Sequence, residues 1–304
     1  MNFSCNSSLE EDQNLVENLM RTKPDKFRHI LESNTHEVQI IYTQIGRDSS
    51  NNLSYKSFSY QNDPDKYFYP ASTVKLPVAL LALEKLNELS IEGLDKHTIM
   101  LTDSAYSGQS AVNEDSTSAS GLPSIAHYIK KIFVASDNDA YNRLYEFLGQ
   151  EYIHDKLQAK GYTHTQIIHR LSIPLSVDEN MHTNPIRFIK DDSLIYEQPL
   201  VKSTLDLASN MIITKGLGYI DQEEQLIKAP FEFTFKNTFP IIDQQKMLRS
   251  VLFKDPESGF NLTDDDYNFV LQYMSQLPNE TLSPNYMTEN YPDGYCKFLM
   301  FSNQ

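Results

Sequence analysis

The spacing of hydrophobic and polar positions changes several times along the chain. From His36 to Ile45 apolar and polar residues alternate, Gly46 to Asn52 is rich in turn formers, and Leu53 to Tyr60 alternates aromatic with polar residues. A period of two on both sides of a turn predicts a β-hairpin over 36–60. After Tyr69-Pro70 the spacing becomes helical and runs to Leu89, with Val78, Leu81, Leu86 and Leu89 on an inward face. Further helices are predicted at Ser124–Val134, Asp139–Leu148 and Ser203–Ile213, and Thr263-Asp264-Asp265-Asp266 reads as an N-cap region before a helix over Tyr267–Gln276. Thr214-Lys215-Gly216-Leu217-Gly218 reads as a helix C-terminus capped by Gly216. The alternation in Phe231-Glu232-Phe233-Thr234-Phe235 predicts an added strand or hairpin arm. Strands that come first and helices that follow predict an α+β fold.

No repeat, low-complexity tract or composition shift marks an internal boundary. One domain over 21–304 is therefore expected behind a flexible, polar tail over 1–20. Its parts would be the hairpin 36–60, a helical lobe over about 70–215, an inserted region over about 216–262, and C-terminal helices and a strand over 263–304.

Composition narrows the chemistry. The 41 acidic against 26 basic residues give a net charge of −15, which repels a phosphate backbone, so nucleic acid is not expected as a partner. The two cysteines, Cys5 and Cys296, make no disulfide framework, and the eight histidines show no metal-ligand spacing, so no metal is expected. The most apolar run, Leu76 to Leu83, is far shorter than the ~18–20 residues that span a bilayer and reads as a core helix.

Ser72-Thr73-Val74-Lys75 places a hydroxyl and an amine three residues apart on one helical face. Lys75 could take the Ser72 proton there if burial lowers its pKa, and the helix N-terminus favours negative charge developing beside Ser72. The spacing alone is common by chance and also fits an ordinary helix start. Ser136-Asp137-Asn138, further along, is a rarer tripeptide, although it also suits a helix N-cap. In this order, each before a helix, the two segments resemble the S-x-x-K and S-D-N elements of class A β-lactamases and penicillin-binding proteins. Phe68-Tyr69-Pro70-Ala71-Ser72 and Val134-Ala135-Ser136-Asp137-Asn138 extend the resemblance, which covers roughly residues 36–280.

The resemblance implies a β-lactamase/transpeptidase-like fold, with Ser72 between a helical lobe and an antiparallel sheet lobe. It implies an acyl-enzyme at Ser72, proton transfer by Lys75 and Ser136, substrate binding by Asn138, and a structural role for Asp137 beside the site. The substrate would be a small-molecule β-lactam or a peptidoglycan-like amide; no cofactor is implied. The resemblance also implies the periplasm, and Phe3-Ser4-Cys5-Asn6 resembles the end of a lipoprotein signal, so Cys5 would carry a lipid anchor in a full-length precursor.

Two departures stand beside the resemblance. Class A enzymes carry a deacylating glutamate after an Arg-Leu pair. Arg170-Leu171-Ser172-Ile173-Pro174-Leu175 offers Leu175 at the position compared, with Asp178, Glu179 and Asn184 as the nearest substitutes. A Lys-Thr/Ser-Gly strand is not found after Ser136, so the sheet is expected to be incomplete at the C-terminal side, as in a shortened member. On sequence, a slow hydrolase, a D-alanyl-D-alanine peptidase and a non-catalytic ligand-binding relative all remain open.

Overall fold

The computed structural model describes residues 14–33, 35–206, 212–221, 223–254, 259–286 and 291. They fall into two compact units, one of residues up to Phe68 together with Pro240–Lys246, the other of Tyr69–Phe239 with Met247 onward.

The smaller unit holds helices α1 (Leu15–Arg21) and α2 (Pro24–Leu31) and strands β1 (Ile40–Arg47) and β2 (Leu53–Tyr60). The two strands pair antiparallel from Ile40 opposite Tyr60 to Arg47 opposite Leu53, as the alternating pattern predicts. Asp48 closes the turn by accepting from the backbone N–H groups of Ser50 and Asn52, both at 2.8 Å. The expected flexible tail is corrected in part. Val16 and Met20, four residues apart, share one face of α1 and are buried in a small core with Phe58 and Tyr60.

The larger unit is built around α3 (Lys75–Leu89), preceded by a 3₁₀ turn over Ala71–Val74. The helix is buried without interruption from Lys75 to Glu84 rather than along one inward stripe, which makes it the centre of the core. Around it stand α4 (Ile125–Ala135), α5 (Asn138–Leu148), α6 (Gln150–Ala159) and the short α7 (Val177–Met181). Strands β3 (Ile99–Thr102), β4 (Ile186–Lys190) and β5 (Ser193–Gln198) form an antiparallel sheet with β4 in the middle. The fold is α+β, with small antiparallel sheets beside a helical core.

Ser203–Ile213 does not form the expected helix in its described residues. Ser203 N–H donates to Met181 O at 2.8 Å, and Thr204 N–H donates to Glu151 Oε1 at 2.6 Å, so the start of this segment is tied to α6 and α7 by tertiary bonds. Residues 207–211 lie outside the described set. The expected helix end at Thr214–Gly218 is also corrected. Thr214–Lys215 is a strand, β6, and with β7 (Tyr219–Ile220), β8 (Leu226–Ile227) and β9 (Phe231–Glu232) it forms an arm in which β6 pairs β9 and β7 pairs β8. The predicted added strand at Phe231 is β9.

Helix α8 (Ile241–Phe253) adds Met247 and Val251 to the main core, and α9 (Asp264–Ser275) starts with Thr263 and Asp266 capping each other, the start its sequence predicts. Cys5, Cys296 and most of the stretch expected to hold a C-terminal strand lie outside the described residues. Among the described residues, no helix is long and apolar enough to cross a membrane.

Candidate active site

The joint between α4 and α5 brings the two sequence segments together. Ser136 takes a left-handed conformation, φ 56° and ψ 41°, and ends α4. Asp137 then caps α5, its Oδ1 accepting from Ala140 N–H at 2.8 Å. The N-cap reading of this segment holds at Asp137, and the sharp turn made by Ser136 and Asp137 is what aims Ser136 and Asn138 at one point. Ala71, just before Ser72, is also left-handed at φ 46°. Non-glycine residues pay a conformational cost in this region, and such positions gather at functional sites.

The point of convergence is Lys75 Nζ. Lys75 is 0% exposed, and its Nζ lies 2.5 Å from Ser136 O, 2.6 Å from Asn138 Oδ1, 3.0 Å from Ser136 Oγ and 3.3 Å from Ser72 Oγ. Ser72 is half-buried at the start of the helical run. Ser72, Lys75, Ser136 and Asn138 thus form one hydrogen-bonded group, while Asp137 supports the turn and lies 3.7 Å from Lys131 Nζ.

The network continues to a residue that sequence reasoning passed over. Asn138 Nδ2 donates to Ser172 Oγ at 2.7 Å, and Ser172 is left-handed at φ 57°. Position 172, rather than 175, supplies the side chain that the Arg170 loop presents to this group. The expectation placed at Leu175 is corrected: Leu175 packs toward Gly108, its Cδ2 lying 2.5 Å from where a β-carbon on that glycine would be. The signal for Ser172 was in the Arg170-Leu171 segment, but which of its residues turns inward depends on a left-handed step that no periodicity encodes.

The other acids considered are engaged elsewhere. Asp178 accepts from Lys202 Nζ at 2.8 Å and from the Tyr106 hydroxyl, partners that hold its carboxyl below the usual range. Glu179 caps α7 through Ser176 and accepts from Ser107 Oγ at 2.9 Å, and its hydrogen bonds to Ser176 hold its carboxyl low as well. Asn184 Nδ2 donates to Asp103 O at 2.8 Å.

The loop that carries Ser172 is fastened on several sides. Arg170 donates to Glu146 Oε1 at 2.8 Å, His182 O at 2.8 Å, Glu179 O at 3.1 Å and Asn184 Oδ1 at 3.2 Å, drawing the two ends of segment 170–184 together. Glu146 is 2% exposed, and burial pushes its carboxyl above the usual range against the pull of Arg143 and Arg170. Asn142 exchanges two hydrogen bonds with the Leu171 backbone, at 2.7 and 3.0 Å. From the arm side, Asn237 Oδ1 accepts from Ile168 N–H at 2.7 Å and His169 N–H at 3.1 Å, and the Phe233 ring packs on Tyr69 with centroids 5.3 Å apart.

A model of the beta-lactamase enzyme family, Beta-lactamase2, matches residues 24–213. The chain belongs to that family. No curated protein sequence matches it. The family match spans Ser72, Lys75, Ser136–Asn138 and Ser172, and stops where β6 and the arm begin. This β-lactamase-family chain is therefore a hydrolase-type protein whose family acts on small β-lactam or peptidoglycan-like molecules.

Proposed function

We propose that the protein is a serine hydrolase that forms an acyl-enzyme on Ser72 with a β-lactam or related amide, and that this intermediate is released slowly. The observation that carries the reading is the convergence of four oxygen atoms on the buried Lys75 Nζ. A neutral amine has two N–H groups and one lone pair. Ser136 O and Asn138 Oδ1 accept only, so they occupy the two N–H groups and leave the lone pair for a hydroxyl.

In the proposed sequence, Ser72 Oγ attacks the substrate carbonyl and its proton passes to Lys75 Nζ. The amide C–N bond then breaks, and Ser136 Oγ gives its proton to the leaving nitrogen while Lys75 replaces it. Asn138 both orients Lys75 and donates to Ser172, which fixes it for contact with substrate. The N-terminal end of the helical run at Ser72 favours the developing oxyanion.

Slow release rests on Ser172. A serine hydroxyl with an ordinary pKa is a poor general base for water, whereas a carboxylate in hydrogen-bond reach performs that step. Asp178 and Glu179 are held by Lys202, Tyr106, Ser176 and Ser107. A location in the periplasm, where such substrates are met, and an anchor at Cys5 belong to the same proposal.

Incubation with a fluorescent penicillin, followed by intact-mass measurement over time, tests the reading. The expected result is a single adduct that persists for minutes or longer and is absent from Ser72→Ala. A folded sample without an adduct sinks the catalytic reading, and an adduct that vanishes within seconds sinks slow release.

A further inference from the structure

Ten residues beyond Lys75, about 15 Å further along α3, Lys85 lines a cavity of about 210 Å³. The first turn of α6 forms part of it through Gly149, Gln150, Glu151 and Tyr152. Leu148, Met181 and Val201 make its apolar wall, and Val201 is 44% exposed, which places it at the opening. An apolar cavity of about 150 Å³ accommodates benzene, so a slightly larger molecule has room here.

Two features make part of the wall electropositive. Lys85 Nζ donates to Phe147 O at 2.5 Å and to Gln198 Oε1 at 2.7 Å, and it lies over the Phe147 and Tyr152 rings, 4.3 and 5.3 Å from their centroids. None of these carries a full negative charge, and an ammonium has three N–H groups, so one N–H and a countercharge remain to be supplied. Burial lowers the amine to about 8, which leaves it charged at neutral pH. Gly149, the N-cap of α6, has no side chain with which to cap the helix, so the positive end of α6 belongs to the same wall.

The same cavity also holds acceptors. Gln150 is 2% exposed, and its Nε2 donates to Ile168 O at 2.8 Å and Asn180 O at 3.2 Å, residues that do not line this cavity. Gln150 Oε1 has no hydrogen-bond partner among the described residues. The amide thus commits its nitrogen elsewhere and leaves a bare acceptor for the cavity, which is costly unless something donates to it. Beside it, Thr204 donates to Glu151 Oε1 from its hydroxyl at 2.5 Å and its backbone N–H at 2.6 Å, and these bonds hold the carboxyl below the usual range. A simple anion drawn to Lys85 is repelled by Glu151, and a simple amine drawn to Glu151 is repelled by Lys85. A zwitterion answers both.

We propose that this cavity binds a small apolar α-amino acid, its carboxylate received by Lys85 and the start of α6, its ammonium by Gln150 Oε1 and Glu151, and its side chain by Leu148, Met181 and Val201. The proposal stands apart from the acyl-enzyme reading, since none of Ser72, Lys75, Ser136 and Asn138 lines the cavity.

Titrations of the full chain followed by saturation-transfer NMR test it. The probes are alanine, valine and leucine in both enantiomers, with 4-methylpentanoate and 3-methylbutylamine as leucine without its ammonium and without its carboxylate. At least one of the amino acids is expected to bind, and leucine is expected to bind at least about tenfold more tightly than either of its two fragments, the scale of one lost hydrogen bond to a charged group. Glu151→Gln, which keeps an acceptor for Thr204, should weaken the amino acid about tenfold while 4-methylpentanoate binds no more weakly than before. Val201→Trp, at the opening, should abolish binding, and Leu217→Ser, an exposed position outside the cavity, should leave it unchanged. Binding of 4-methylpentanoate as tight as that of leucine would show a plain anion site and overturn the proposal. So would the absence of binding by all three amino acids, or an affinity that neither Glu151→Gln nor Val201→Trp alters.

Discussion

The helical core that holds Lys75 and the arm that ends at Asn237 are built by opposite rules. The three helices whose residues meet at Lys75 are long: α3, α4 and α5 run for 15, 11 and 11 residues, and their facing side chains are buried almost completely. In the arm each strand is two residues long, and Leu217, Ile220 and Leu226 lie 91%, 62% and 60% exposed. The core holds Lys75 and its partners closely, because its side chains are locked by neighbours on all sides. The arm has few such neighbours. It is held through Asn237 and Phe233, and its Phe231 and Phe235 line a cavity shared with the loop after Arg170.

That contrast is sharpest at Arg170. Arg170→Ala removes one of the two cations beside the buried Glu146 and unfastens both ends of the Ser172 loop, while Arg143 remains at 2.9 Å. Breaking a buried ion pair on one side costs about 3–5 kcal/mol, and the surviving Arg143 places the expected loss near the lower figure. Urea unfolding measures it; a loss under about 1 kcal/mol would mean that the loop is not fastened through this residue.

His169 gives a pH-dependent version of the same comparison, since it sits where the fastened loop meets the arm's cavity. Its folded value of about 4 lies below the ordinary 6.5, so between those values the unfolded chain binds the proton and the folded chain does not. The contribution is therefore fully present above pH 6.5 and is lost as pH falls toward 4. The shift corresponds to roughly 3 kcal/mol at most. Unfolding curves at pH 7 and pH 4.5 for wild type and His169→Gln check the sign, because the wild type should lose more stability on acidification than the variant. The reverse order would contradict a neutral, buried imidazole.

The smallest effect is expected on the arm's outer surface. Leu217→Ser and Leu226→Ser should change stability by less than about 0.5 kcal/mol, because these side chains leave little apolar contact behind. A loss above 1 kcal/mol in thermal melts would show that the arm's exposed face is packed in solution.

Much of the candidate site is legible in the amino-acid sequence. Ser72 and Lys75 are three residues apart, so the 3₁₀ turn and first turn of α3 bring them together with no help from tertiary structure. Ser136, Asp137 and Asn138 were legible as a helix cap. The hairpin and the starts of α4, α5 and α9 were set by alternation and capping residues, which act over a few neighbours. The fastening of Arg170 to Glu146 and of Asn237 to Ile168 and His169 was not legible, because these partners are 24 and about 69 residues apart.

By itself, then, the sequence determined the α+β class, the local pairing of Ser72 with Lys75, and the turn that makes Ser136 and Asn138 neighbours. Tertiary structure alone decided that Ser172 rather than Leu175 meets Asn138, that Thr214–Lys215 is a strand instead of a helix end, and that Leu15–Arg21 is a helix with a buried face. The physical reason is range. Propensity, capping and side-chain period act within a turn or two of the backbone. A left-handed residue such as Ser172 and a strand of only two residues have too little local preference to specify themselves, and they take the conformation that distant hydrogen bonds impose.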